Sequence, residues 1–134
     1  MNGALGHRIS AAVERCFAED DRLLAVYLLG SAVRDELRRE SDIDLALMPK
    51  PGTSIPAIER FNVAGCLSAQ LGRQVDLGEL GSHNLVYARE AILTGERIYL
   101  RDAFAADLRA ATLLGMYFRF NEEREEVLDA YRAG

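Results

Sequence analysis

Blocks of apolar residues alternate with helical patterns along the 134-residue chain and predict an α/β fold. Two short runs, residues 23–29 and 43–48, are almost wholly apolar, which is typical of strands buried on both faces. Weaker strand patterns follow at 73–80 and 97–100, the second of them suited to a sheet edge. Helices are predicted over residues 5–19, 31–39, 54–71 and 82–94, and from 102 to the end. No linker or repeat interrupts this order, so we expect residues 1–134 to form one domain.

For the predicted helices over 54–71 and from 102 to the end, the sequence also predicts the helix ends and the buried faces. Ser54 is expected to cap the helix over 54–71, and Gly72 is expected to end it. Its inner face is predicted to present Ile58, Phe61, Ala64 and Leu67 or Leu71. The C-terminal helix shows an apolar stripe of Phe104, Leu108, Ala111 and Leu114, and Gly115 is a candidate for a kink or break.

Two aspartates begin the second apolar strand. Asp42 and Asp44 are separated only by Ile43, and residues two apart on a strand point to the same side. Neighbouring carboxylates repel one another unless a cation neutralises them. Mg²⁺ suits the position because it takes oxygen ligands and usually combines one or two carboxylates with substrate phosphates. The pattern therefore predicts a magnesium site.

A Gly-Ser pair supplies a candidate phosphate site next to these aspartates. Gly30 ends the first strand and allows backbone to approach a ligand closely. Ser31 can cap the following helix, whose free N–H groups would face an anion. Either feature alone is common in proteins without a ligand. Their order, strand, Gly-Ser, helix, Asp-x-Asp, strand, favours nucleoside-triphosphate chemistry.

These residues resemble a known signature. Gly30-Ser31, ten intervening residues and Asp42-Ile43-Asp44 are similar to the GSx10DxD motif of the polymerase-β-like nucleotidyltransferases. Because the chain has little beyond that core, it most resembles the minimal nucleotidyltransferase antitoxins that pair with HEPN-domain toxins. Arg34 also stands where those proteins often carry an arginine. Asp35 departs from the glycine common at the next position, which affects the expected loop geometry but not the aspartate pair.

The resemblance implies a small mixed sheet with flanking helices and a long C-terminal helix. It implies catalytic and metal-binding roles for Asp42, Asp44 and Asp76, the last on the third predicted strand, and nucleotide-binding roles for Gly30, Ser31 and Arg34. Two Mg²⁺ ions would be shared by the three carboxylates. The implied reaction transfers AMP from ATP to a hydroxyl, with a tyrosine of a HEPN toxin as acceptor. Glu79 is a weaker candidate and is expected at a solvated turn.

Two other functions fit the same residues. The chain could neutralise a partner by binding alone, although three retained acidic positions argue against that alternative. It could also modify a small molecule such as an aminoglycoside, but enzymes of that kind usually carry an extra helical domain.

The acidic segment 121–131 is typical of a solvated helix face and is also a candidate surface for a basic partner. The residues that would bind the base are not identifiable from the pattern.

The composition of the chain limits the kinds of partner and the compartment that we expect. The net charge of −5 argues against direct nucleic-acid binding, which depends on clustered Lys and Arg. Cys16 and Cys66 lack a CxxC pattern and are expected to be small buried thiols in a reducing compartment. His7 and His83 are expected to be surface or cap-adjacent residues rather than catalytic ones. With no apolar run long enough to span a bilayer, we expect a cytoplasmic protein without membrane contact. The resemblance, not the composition, implies a hetero-oligomer with a HEPN-domain toxin.

Overall fold

The computed structural model describes residues 3–30 and 42–133. The predicted polar helix over 31–39, with Ser31 and Arg34, lies outside these residues. The described helices are α1 (Gly3–Phe17), α2 (Ala57–Leu71), α3 (Leu85–Thr94) and α4 (Ala103–Ala133), and a short 3-10 turn, Ser82–Asn84, precedes α3. The strands are β1 (Leu23–Leu29), β2 (Ile43–Pro49), β3 (Val75–Glu79) and β4 (Glu96–Leu100). The strand pattern and the long C-terminal helix are therefore confirmed.

The four strands form one mixed sheet in the order β3-β2-β1-β4. β1 pairs antiparallel with both β2 and β4, whereas β2 and β3 run parallel. A parallel pair needs a long crossover, and α2 supplies it between β2 and β3. β4 is an edge strand, as its weak apolar pattern predicts.

Helices cover both faces of this sheet. Residues of α1 and α2, among them Phe17 and Leu67, pack with one set of strand side chains that includes Leu45. Residues of α3 and α4, among them Ala91, pack with the alternate set that includes Ala46. Because successive strand residues face opposite sides, β1 and β2 are buried on both faces. This arrangement explains why their sequences are almost continuously apolar.

The predicted inner face of α2 is partly wrong. Leu67 and Leu71 are buried as expected, but Ile58 is 66% exposed and Phe61 is 75% exposed. The helix begins later than predicted because Pro56, rather than Ser54, precedes its first turn. Gly72 does end the helix, with a positive φ of 69° and its N–H donated to the Ser68 carbonyl.

The predicted apolar stripe of α4 is also wrong. Phe104 is 80% exposed and Leu108 is 59% exposed, while the buried positions are Ala106 and Leu113. Residues two apart on a helix differ by about 200° in direction, so the face that packs on α3 lies nearly opposite the predicted one. The helix also continues through Gly115 without interruption. Three alanines, Ala105, Ala106 and Ala110, together with Leu113, pack α4 against its neighbours.

Two further findings concern the cysteines and the membrane. Cys66 is exposed and Cys16 half-buried, so the expectation of two buried thiols is wrong. Packing of α1 against α2 brings their sulfur atoms to 3.5 Å, although 50 residues separate them in sequence. Burial raises the pKa of Cys16 to about 11. Among the described residues, no helix has the length and apolarity needed to cross a membrane.

Candidate active site

Asp44 and Asp76 lie side by side on the parallel strands β2 and β3. The register pairs these two residues directly. Asp44 shares its face of β2 with Ala46 and Met48, which pack under α3 and α4. Asp42 lies at the entry to β2 and is exposed. The parallel register thus brings the third predicted carboxylate next to the Asp-x-Asp pair.

Asp44 is affected electrostatically by the two neighbouring carboxylates. The pKa of Asp44 is raised above its ordinary value, first by partial burial and then by the negative charges of Asp76 and Asp42. A raised pKa means that the ionised form of Asp44 is disfavoured in the folded protein. A cation between the carboxylates would remove that penalty.

Gly30 closes the site on the side of β1. It has a positive φ of 73°, a conformation that glycine adopts without strain. A Cβ atom built on Gly30 would lie 3.9 Å from Asp44 Oδ2, so the glycine backbone lies against the carboxylate. The predicted neighbours Ser31 and Arg34 lie outside the described residues. The structure therefore brings Gly30 to the aspartates, and the rest of the Gly-Ser loop stays a prediction.

A cavity of about 630 Å³ opens over Asp44 and Asp76. Its wall combines these carboxylates with residues from β1, β3, α2 and α3. The lining residues are Leu29, Asp44, Arg60, Asp76, Leu77, Gly78, Glu79, His83, Asn84 and Tyr87. The expectation that His83 is at the surface is confirmed, since its side chain is exposed at the cavity rim.

Tyr87 of α3 forms part of the cavity wall and rests on Gly78 of β3. A Cβ atom added to Gly78 would overlap the Tyr87 hydroxyl and lie 2.7 Å from its Cζ atom. The pKa of Tyr87 is raised by burial and by the charge of Asp44, while Arg60 acts in the opposite direction. Gly78 is needed here because any side chain would displace the ring.

Glu79 is not a solvated turn residue, contrary to the expectation. It is 8% exposed. Its carboxylate accepts hydrogen bonds from Ser54 Oγ at 3.0 Å and from the Ile55 backbone N–H at 2.7 Å. Arg60 Nη1 lies 3.5 Å from Glu79 Oε2 and donates to the Ile55 carbonyl at 2.6 Å. Glu79 therefore anchors the loop before α2 and holds Arg60 at the cavity wall.

Sequence reasoning missed Arg60, Gly78, Asn84 and Tyr87 as cavity residues. None of them belongs to a motif, and each is an ordinary helix, strand or turn residue in the pattern. Asn84 is an example. Its Nδ2 atom donates a hydrogen bond of 2.7 Å to the Glu79 carbonyl and so stabilises the turn into α3. The only available signal was the interior glycine at position 78, which often marks a close approach in a strand.

The donor set fits a hard cation that shares its coordination with substrate. Within residues 3–30 and 42–133, no group of three His, Cys, Asp or Glu side chains is close enough to hold a metal ion by itself. Mg²⁺ does not need such a cage, because it commonly uses one or two carboxylates together with phosphate oxygens. Asp44 and Asp76 match that requirement, since they pair across the parallel strands and the charges of Asp76 and Asp42 both disfavour ionised Asp44.

Comparison with protein families agrees with the fold and the site. The family described as Polymerase beta, Nucleotidyltransferase matches residues 12–104, which is more than half of the chain. The chain belongs to this family and is a nucleotidyltransferase. The matched region contains the four strands of the described residues and all the predicted site residues.

Individual proteins within this family are also similar to the chain. The chain is 28% identical over 108 residues to the protein adenylyltransferase MntA of Shewanella oneidensis, a match covering 81% of this chain and 76% of MntA. A chain of a toxin–antitoxin crystal structure with AMP-PNP superposes with a TM-score of 0.75 at 24% identity, covering 92% of this chain and 98% of that one. A structure of tri-AMPylated Shewanella oneidensis HEPN toxin in complex with MNT antitoxin gives 0.72 at 22% identity, covering 95% and 98%. These superpositions establish the shared fold.

Proposed function

We propose that this protein is a Mg²⁺-dependent adenylyltransferase that moves AMP from ATP to a tyrosine hydroxyl of a cognate HEPN toxin and thereby acts as its antitoxin. The observation that carries the proposal is the parallel register of Asp44 with Asp76, beside Asp42 and the Gly30 backbone. The relatives support the donor and the acceptor class, since one is a protein adenylyltransferase and others are toxin–antitoxin complexes.

Asp42, Asp44 and Asp76 would hold the metal. When bound, Mg²⁺ would neutralise phosphate charge and stabilise the departing pyrophosphate. Gly30 and Ser31 would receive the phosphates through backbone N–H groups, and Arg34 would add a cation to them. The exposed backbone at Gly30 supports this arrangement. Gly30 has a positive φ at the end of β1, and its backbone lies next to the Asp44 carboxylate.

Asp76 would also receive the proton of the attacking hydroxyl. A general base must lie within hydrogen-bond reach of the acceptor. Asp76 fits because it lies on the outer strand β3 and lines the open cavity, where an acceptor side chain can enter. The attacking oxygen would bond to the α-phosphorus while the bond to the β-phosphate oxygen breaks, so that AMP is transferred and pyrophosphate leaves.

The test is intact-protein mass spectrometry of the HEPN partner after incubation with this protein, ATP and Mg²⁺. We expect the partner to gain one or more AMP units, with one pyrophosphate molecule released from ATP for each AMP unit transferred. Asp44→Asn is expected to slow transfer roughly 100-fold or more, the scale seen when one electrostatic stabiliser is removed from an active site. Asp21→Asn, a charge loss at the exposed turn before β1, serves as the control and is expected to leave transfer unchanged.

The same experiment separates the alternatives. If the toxin is neutralised without gaining mass, and the Asp42→Asn/Asp44→Asn double variant neutralises it equally well, the protein acts by occlusion and the adenylyltransferase proposal fails. If AMP is transferred to a small hydroxyl compound but not to the toxin, the acceptor class is wrong while the chemistry stands.

A further inference from the structure

A second polar cavity lies beside the one that contains the aspartates. It has a volume of about 440 Å³ and shares Arg60, Glu79 and His83 with the first cavity. The remaining wall includes Arg109 of α4 and the hydroxyl residues Thr53, Ser54 and Ser82. An extended ligand could therefore occupy both cavities at once by passing along Arg60.

The charge of this second cavity is opposite to that of the first. Arg60 and Arg109 are its cationic residues, and Glu79 is the acidic residue in its wall. The Glu79 carboxylate is already engaged by Ser54, Ile55 and Arg60. A cationic cavity is unexpected in a chain with a net charge of −5, and it lies directly against the acidic cluster. The second cavity therefore favours a negatively charged group, whereas the aspartates favour a cation.

Arg109 provides a second, independent indication. Its Nε atom is buried and has no hydrogen-bond partner among the described residues. Buried polar groups are nearly always paired, and a guanidinium offers donors arranged to match phosphate or carboxylate oxygens. Because Arg109 also lines the second cavity, its guanidinium is placed to bind an oxygen-rich anion there.

We infer that the cavity formed by Arg60, Arg109 and His83 binds a phosphate group of a nucleotide during the transfer reaction. This inference rests on the proposed function, which places phosphates at the adjoining aspartates. Two sources could supply the group. One is the triphosphate of the ATP donor, and the other is the phosphodiester of an acceptor that already carries AMP. A relative's HEPN toxin is tri-AMPylated, so a second addition has to accommodate the first product.

The test replaces Arg109 with Met, which keeps the length of the side chain and removes its charge. Arg119→Met removes a charge from an exposed position on the same helix and serves as the matched control. Arg109→Lys retains the charge but not the forked donors and is expected to have an intermediate effect. His83→Gln tests the same cavity at an exposed residue, so a folding defect at position 109 cannot obscure the result.

Two measurements distinguish the sources. The first is the affinity of the protein for ATP with Mg²⁺, by isothermal titration calorimetry in the absence of the toxin. If the donor triphosphate is bound, Arg109→Met weakens ATP about tenfold, the loss expected for one charge-assisted hydrogen bond. The second is the number of AMP units on the HEPN toxin, by intact mass. If the acceptor phosphate is bound, the first addition is unchanged and later additions are lost.

The inference is overturned if Arg109→Met behaves like Arg119→Met in both measurements. It is also overturned if the wild-type protein adds a single AMP and Arg109→Met leaves ATP affinity unchanged. Failure of the proposed function gives a different result from failure of this inference. If the proposed function is wrong, the wild-type protein transfers no AMP to the toxin. The ATP titration still tests whether the second cavity binds phosphate.

Discussion

The two faces of the sheet are packed in different ways. Under α1 and α2, large side chains such as Phe17, Leu45 and Leu67 meet and are fully buried. Under α3 and α4, many of the buried residues are alanines, including Ala46 and Ala91. Small residues allow helices to approach the sheet closely, but they bury less apolar area. The first face is therefore the principal source of stability.

The second face differs because its helices do not cover the whole sheet. Ala46 and Met48 are buried under α3 and α4, but Asp44, two residues earlier on the same face, is exposed. Tyr87, resting on Gly78, marks the edge of the covered part. The comparison shows that one sheet face can serve stability alone while the other combines a small core with an open polar site.

The largest effect is expected on the packed face. Leu45→Ala removes a fully buried side chain between the sheet and α1 and α2, and should cost about 2–5 kcal/mol of unfolding free energy. Urea denaturation followed by circular dichroism measures this loss. Ile58→Ala, at an exposed position on α2, should change stability by less than about 0.5 kcal/mol. If both variants lost the same stability, the assignment of the core to this face would be wrong.

An intermediate effect is expected at the edge of the covered part. Gly78→Ala places a methyl group where the Tyr87 ring lies, which should cost about 1–3 kcal/mol and reduce nucleotide transfer. The double variant Gly78→Ala/Tyr87→Leu should be more stable than the sum of the two single changes predicts, because the overlap is relieved. Thermal unfolding of all four proteins gives this coupling energy. Simple additivity would show that the ring does not rest on Gly78.

The smallest effect on stability is expected in the open site, where the substitution should stabilise the protein instead of destabilising it. The folded-state pKa of Asp44 is raised above the ordinary value of 3.8, so its contribution favours folding at low pH and is lost as the pH rises through the folded-state pKa. Near neutral pH, Asp44→Asn should therefore stabilise the metal-free protein. The gain should stay below about 1 kcal/mol because the side chain is exposed and its charge is screened.

Thermal unfolding as a function of pH measures this difference. The advantage of Asp44→Asn should shrink as the pH falls through the raised folded-state pKa towards 3.8, because the folded wild-type carboxyl takes up its proton over that range. Mg²⁺ should raise the melting temperature of the wild-type protein more than that of the variant. A variant that is less stable than the wild type at neutral pH would contradict the conclusion that burial and the charges of Asp76 and Asp42 disfavour ionised Asp44.

Much of the strand pattern and part of the site could be predicted from the chain alone. β1 and β2 were recognisable because strands buried on both faces are continuously apolar. Asp42 and Asp44 are neighbours by local geometry, and Asp76 required only that β3 lie beside β2. The helix faces were harder, because apolar spacing on α4 does not say which side meets another element. Phe104 and Leu108 are exposed although they form a regular stripe.

Sequence by itself determined the order of elements, the acidic pair and the glycine at the end of β1, since each depends on residues close along the chain. Tertiary structure decided the walls of the site. Arg60 reaches the cavity because Glu79, 19 positions later, is buried beside it, and Tyr87 reaches it because Gly78 leaves room. Such contacts depend on where α2 and α3 pack on the sheet. That placement follows from the summed burial of many side chains and not from any local pattern.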